Sequence, residues 1–551
     1  MEHASTAAIA DAVERPAPRL RPFAEPATLL VLLALAAAVV HFFLLITDYR
    51  ALWVHPDNHQ FILKESLRGG AAIGLIDFPN SLQLRAPDEF RPRFLTYYLI
   101  AIDQKIRLFL YDWMPVHPTL TPVAWAANLA ALYFLYRLLV SMTGDRLAGL
   151  AGLAVYWSAT GLLSGFTMNF MPGKTLSNMA LIMSLYFAVE AMKRARPGQL
   201  LMESPGWSKY LLLVMIFVGL MLDEMPIALL FIVPLVVWSA FVPRFPWKPP
   251  AAQLVRFVKN GLFFAIPTVA FLAFVVVIVP PITEALFDYR FDFLGDMLLI
   301  NNTRTAPSLE AAVTGGLQPW IFVGNVTTLF GLSLVPWPVS PFIITINGTW
   351  PSGQETNLPK IVLLALFFAV TLYIAVKSTG PWVPYLRGLL VALPIFFLYL
   401  SLLMVRHVPV VTGYYYGAIF ASVFALLVGL LVAGASQLVP WGRIASAVVV
   451  AAIVGVQIAN YGPLNDGWRV THDEGLTRER MAKARENRDR RIPLLAEPRD
   501  LTPDEVRAIW TAWKQDQLDR YLRDNKVSSA AVYEVVELQD LDRARGRRPG
   551  Q

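Results

Sequence analysis

The sequence predicts an all-α polytopic membrane protein, and three observations carry that expectation. Of 551 residues, 56% are hydrophobic and only 16% charged, and the mean hydropathy is positive, a balance typical of chains that face lipid. The apolar residues gather into separate runs of about 17–25, the length that crosses roughly 30 Å of hydrocarbon at ~1.5 Å per residue. The basic residues lie in short stretches between those runs. The net charge of +7 therefore reads as a topology signal rather than as a nucleic-acid surface. Cysteine is absent, which excludes disulfides, thiolate metal sites and cysteine nucleophiles, so any metal must be held by His, Asp or Glu.

Taken in order, the first two dozen residues are polar with both charge signs and lack the short basic start of a cleavable signal. Residues 27–47 are thus expected to be an uncleaved first span. Ten further apolar runs follow, at 119–140, 146–163, 175–192, 209–222, 225–241, 257–279, 359–376, 386–404, 411–435 and 442–458, for about eleven transmembrane helices. Arg137 and Arg146, the Lys193, Arg194 and Arg196 cluster, and Arg244, Lys248 and Arg256 fall in alternate loops. Those loops are cytoplasmic if the N-terminus is. Residues 48–118, 164–174 and 280–358 then lie outside, which in a bacterial inner membrane means the periplasm. Residues 317–334 are apolar enough to cross, but a crossing there would put the Lys- and Arg-free 337–358 loop in the cytoplasm. A re-entrant or interfacial element is expected instead.

Residues 1–460 form the membrane domain and 461–551 a small soluble tail, mainly helical. Thr502-Pro503-Asp504-Glu505 is a capping pattern ahead of Val506, Ile509, Trp510 and Trp513 at helical spacing. Arg478, Arg480, Lys483, Arg485, Arg488, Arg490 and Arg491 favour a cytoplasmic tail, but neighbouring acids nearly balance them and long tails obey the charge rule weakly. An odd count of eleven places the tail outside.

Chemistry is expected outside the lipid, because apart from Asp223-Glu224 at a helix break no span carries an acid near its centre. Polar density rises in the long loop after the first span, where His55-Pro56-Asp57-Asn58-His59-Gln60 stands a few residues past the membrane exit. This pattern resembles the GT-C superfamily of polytopic glycosyltransferases that use polyprenyl-phosphate-linked sugars. It is similar to the His-Pro-Asp-Glu motif with a following Phe-Gln in lipid-linked mannosyltransferases, with Asn58 where the family has Glu. The resemblance covers the topology of most of the chain and about six residues of motif. It implies a GT-C-like fold, a polyprenyl-phosphate sugar donor, a glycan, lipid or protein acceptor, and Asp57 as catalytic base.

Inverting transfer needs such a base, because the acceptor hydroxyl must lose its proton as the phosphate leaves the opposite face of an oxocarbenium-like centre. A helix-capping Asp57 is the alternative. His55 and His59 flank it, as ligands with Asp57 of a divalent metal ion or as hydrogen-bonding interfacial histidines. Asp88 and Glu89 are candidates to orient an acceptor sugar, and Arg91 and Arg93 to grip a lipid phosphate in bidentate fashion, against a solvated turn with local ion pairs. The following stretch, 94–113, is expected to lie in the interface as an amphipathic helix. Lys174 is a lone exoplasmic cation at a helix start, either an anion site or a membrane anchor. Asp223 and Glu224 need a metal, a sugar hydroxyl or an arginine to satisfy them. Arg406 and His407, with Tyr415 among three tyrosines, are either a clamp for the carrier phosphate or members of an interfacial belt. The rival functions are a flippase or transporter of lipid-linked glycans, which calls for discontinuous helices or repeated halves, and a non-catalytic scaffold of envelope assembly.

Overall fold

The computed structural model describes residues 25–47, seven positions between 95 and 106, 122–159 with 162, 172–195, 199–222, 225–241, 251–287 with 290, 326, 329–331, 333–335, 358–406 and 418–461. No strand occurs among them. The helices are α1 (Pro26–Thr47), α2 (Pro122–Thr143), α3 (Arg146–Trp157), α4 (Pro172–Arg194), α5 (Ser208–Leu222), α6 (Leu229–Phe241), α7 (Ala251–Ala273), α8 (Val279–Phe287), α9 (Leu358–Lys377), α10 (Val383–Arg406), α11 (Ala418–Leu438) and α12 (Gly442–Tyr461). Seven described stretches, in α1, α2, α4, α7 with its continuation, α10, α11 and α12, are long and apolar enough to cross a membrane. The protein is thus an α-helical polytopic membrane protein. Each of the eleven apolar runs of the sequence coincides with helix among the described residues, α3, α5, α6 and the apolar part of α9 being shorter than the seven.

Local chemistry fixes where these helices begin and turn. α1, α2 and α4 each start on a proline, whose fixed φ suits the first helical position and whose missing N–H loses no bond there. α2 ends at Gly144, which takes the left-handed φ of +71° and donates its N–H to the Val140 carbonyl at 2.8 Å. Asp145 then caps α3, accepting from the Leu147 N–H at 3.0 Å. Two residues therefore reverse the chain. The continuous rod of α7 and α8 is joined by a π-helical turn, Phe274–Ile278.

α11 is the central helix, with 89% of its apolar stretch buried against 28% for α1 at the rim. It crosses α3 through small residues: a Cβ on Gly152 would lie 3.4 Å from the Ala425 carbonyl oxygen, and one on Gly429 3.0 Å from the Ala148 carbonyl oxygen. Small residues let backbones approach where lipid offers no hydrophobic drive for association.

The near end of the bundle is marked by Arg443, which grips Glu25 through Nε at 2.7 Å and Nη2 at 3.0 Å, and Asp145 through Nη1 at 3.2 Å. Ser141 donates to Glu190 at 2.8 Å, the Leu201 N–H to Asn260 at 2.9 Å, and Arg387 Nε to the Ala375 carbonyl at 2.9 Å. These bonds gather the α2–α3, α4–α5, α9–α10 and α11–α12 turns and the α7 start at the end where α1 begins. The three basic loop clusters of the sequence flank those same turns. At the far end the rings of His41 and Tyr461 meet edge-on, centroids 5.9 Å apart. The first and last helices are consequently parallel neighbours.

Within 317–334 and its flank, the described residues pack into protein rather than lipid. Phe330 is fully buried among the rings of Phe367, Phe368, Phe397, Phe420 and Phe424. Ser333 accepts from Gln457 Nε2 at 3.3 Å, and the Val335 carbonyl accepts from Asn460 at 2.8 Å.

Candidate functional site

The far end brings together segments that flank several of the sequence candidates. Thr96, fully buried, donates its hydroxyl to the carbonyl of Leu222, the last residue of α5. A Cβ on Gly173, in the first turn of α4, would strike both Thr96 Oγ1 and the Leu222 carbonyl. Three chain segments thus touch at one point. Thr96 comes three residues after Arg93, Gly173 directly precedes Lys174, and Leu222 directly precedes Asp223 and Glu224.

The described residues of the stretch expected to be an amphipathic helix are helical; Thr96 and Asp103 are buried, and Leu95 and Leu99 pack partly buried against the core. Asp103, seven residues after Thr96 and so on nearly the same side of a helix, is fully buried, and its Oδ1 accepts from the Val123 N–H at 2.9 Å. That carboxylate sits at the start of α2, where free N–H groups and the helix dipole favour negative charge.

Beneath this junction lies a layer of buried neutral polar groups. The Tyr156 hydroxyl donates to Asn128 Oδ1 at 2.9 Å and also lies against Ser422. Ser422 donates to Asn178 Oδ1. Nearby in chain position, Ser158 donates to Gln457 Oε1, which continues to Ser333. Asn128 and Asn178 each stand six residues inside their helices and Ser422 four inside α11, which places them roughly 6–9 Å below the far end. α2, α4 and α11 all begin at this end and pack on one another. No acidic residue occupies the first turn of any of them.

Of the expected site residues, Lys174 lies in the first turn of α4 and Arg406 is the last residue of α10, both at the far end. His55, Asp57, His59, Asp88, Glu89, Arg91, Arg93, Asp223, Glu224, His407 and Tyr415 lie outside the described residues, as does the tail after 461. Asp223 and Glu224 fall between the last described residue of α5, Leu222, and a 3₁₀ turn that starts at Met225. Among the described residues no group of three acids or histidines is placed to hold a metal ion.

No family model and no curated protein matches this chain.

The polar layer is what sequence reasoning missed. A search for charges inside spans passes over Asn128, Asn178 and Gln457, although three amides inside otherwise apolar runs are themselves the signal, since each needs a partner where water is absent.

Proposed function

We propose that the chain is a glycosyltransferase of GT-C-like design, crossing the bacterial inner membrane eleven times and moving a sugar from a polyprenyl-phosphate donor to a glycan, lipid or protein acceptor on the periplasmic face. The observation that supports it best is the contact of Thr96, Gly173 and Leu222 at one end of the bundle, because it joins the flanks of three candidate clusters that are far apart in sequence. The buried amides and phenol cluster below the same end. A carrier that shuttles its cargo is instead built around polar groups and broken helices at the midplane.

In this mechanism Asp57 takes the proton from the acceptor hydroxyl as that oxygen attacks the anomeric carbon. The carbon–oxygen bond to the carrier phosphate breaks on the opposite face, and the phosphate leaves with the bonding pair. The cations Arg91, Arg93, Lys174 and Arg406 steady the charge gathering on the phosphate, where arginine offers a fork of donors. Asp88, Glu89, Asp223 and Glu224 hold sugar hydroxyls, His55 and His59 position the base, and His407 and Tyr415 line the donor. Binding at a lipid interface contributes by orienting two substrates with little water between them.

The test is donor turnover by the purified chain with a panel of polyprenyl-phosphate sugars. Asp57→Asn is nearly isosteric and should fold while losing about 10²-fold or more of the rate, the usual scale of general-base catalysis. Full activity in that variant would remove the mechanism. Transport of a lipid-linked glycan across sealed vesicles with no sugar transfer would favour the carrier instead.

A further inference from the structure

Two hydrogen-bonding groups on the first two turns of α4 are buried without a partner. Thr175 Oγ1 and Asn178 Nδ2 are both inaccessible, and neither finds a hydrogen-bond partner among the described residues. Their positions, three apart, put them on one side of the helix. That side faces α11, because Asn178 uses its Oδ1 to accept from Ser422. The bond fixes the amide so that its two N–H donors are what remains. An unpaired donor inside a membrane protein is costly, and native structures complete such groups with water, an ion or a ligand or keep them for function.

What would complete these groups must accept hydrogen bonds and suits negative charge. The first N–H groups of α4, at Gly173, Lys174 and Thr175, have no partner within the helix, and the dipole puts partial positive charge at the same spot. α11 begins at this end too and runs beside α4, again with no acid in its first turn. At the start of α2 the corresponding place is taken by the Asp103 carboxyl group, which accepts from the Val123 N–H. Thr175 and Asn178 lie roughly 5–9 Å inside the helix start, at the depth of a head group drawn slightly below the surface.

We infer that the N-terminal turns of α4, through Thr175 Oγ1, Asn178 Nδ2 and the first backbone N–H groups, form the seat of a phosphate group, that of a polyprenyl-phosphate lipid. The assignment rests on the glycosyltransferase reading for the identity of the lipid and on the unpaired donors for the position of its phosphate. Asn128, Tyr156 and Ser422 act as positioning residues that hold the Asn178 amide in its orientation. Gly173 leaves the close approach of Thr96 and Leu222 possible beside it.

The experiment measures binding of a fluorescent polyprenyl monophosphate to the full chain in nanodiscs, with neutral polyprenol and inorganic phosphate as the other two probes. Thr175→Val keeps the shape and removes one donor, and should weaken the phosphorylated lipid about 10- to 150-fold, the range of one hydrogen bond to a charged group. Asn178→Asp replaces the donors by a carboxylate and should weaken it further. Neutral polyprenol should bind both variants and the parent alike. Competition by millimolar inorganic phosphate alone, with no preference for the lipid, would make the seat one for free phosphate and overturn the lipid assignment. Unchanged lipid affinity in Thr175→Val, with an unaltered unfolding temperature, would overturn the site even if Asn178→Asp fails to fold. Lipid binding that depends on Thr175 in a protein showing no sugar transfer would keep the seat and sink the enzyme. Transfer that is indifferent to Thr175 and Asn178 would do the reverse.

Discussion

A side chain at Gly442 has nowhere to go, since its Cβ would lie 1.9 Å from the Ala435 carbonyl oxygen across the α11–α12 turn. Backbone cannot rotate away as a side chain can. Gly442→Ala should therefore cost about 1–3 kcal/mol, the range for overpacked sites. Gly455, in the same helix, is the control, because nothing lies within 4 Å of its added Cβ. Gly455→Ala should stabilise by up to about 1 kcal/mol through helix propensity alone. Thermal unfolding followed by tryptophan fluorescence separates the two, and equal effects would contradict the packing described. Other single residues owe their role to neutral polarity. Gln457 links Ser158 to Ser333 across 299 and 124 positions of chain, and Ser422 reaches Asn178 across 244. Nothing local in the sequence announces such pairs.

Helices were the most legible part of the chain, because lipid imposes a minimum apolar length and no soluble alternative satisfies it. Their ends were less so. The run read as ending at 435 continues as helix to Leu438, and the run read as 257–279 lies inside a rod from Ala251 to Phe287, since a helix continues past the lipid wherever its own hydrogen bonds suffice. Proline starts and the Gly144-Asp145 turn were written in the residues themselves. The helical segment around Thr96 and Asp103 was legible as a helix but not in its facing. Charged and hydroxyl residues on such a segment suggest a solvated side, whereas Asp103 is spent on the exposed N–H groups of α2. Asp103→Ala should accordingly lower stability by about 1 kcal/mol, as loss of a helix cap does, and should speed hydrogen exchange at Val123 first. Exchange unchanged across 122–126 would count against the cap. The candidate site was legible as a set of segments, and it took the bundle to bring Thr96, Gly173 and Leu222 into contact.

At the scale of the molecule, α1 and α12 lie side by side and parallel, joined by Glu25 and Arg443 at one end and by His41 and Tyr461 at the other. Two parallel helices at the start and end of the described bundle require an odd number of passes from α1 to α12, so Glu25 and Tyr461 lie at opposite ends of it. A C-terminal alkaline phosphatase fusion should be active and a C-terminal GFP fusion dark, with the N-terminus in the cytoplasm. The opposite pair of results would place the tail inside and break the parity.

The same pairing has a consequence for how the protein is made. Glu25 emerges from the ribosome more than four hundred residues before Arg443, its partner in the finished bundle. During that interval the first helix has its α2 and α3 neighbours, through Phe42 against Trp125 and Trp157, but not the guanidinium that secures its entry. The nascent chain is thus held open along one seam until the final hairpin inserts. A message truncated before α12 would yield a bundle whose first helix stays exposed to membrane chaperones and proteases, so closure of the fold waits for the insertion of α12.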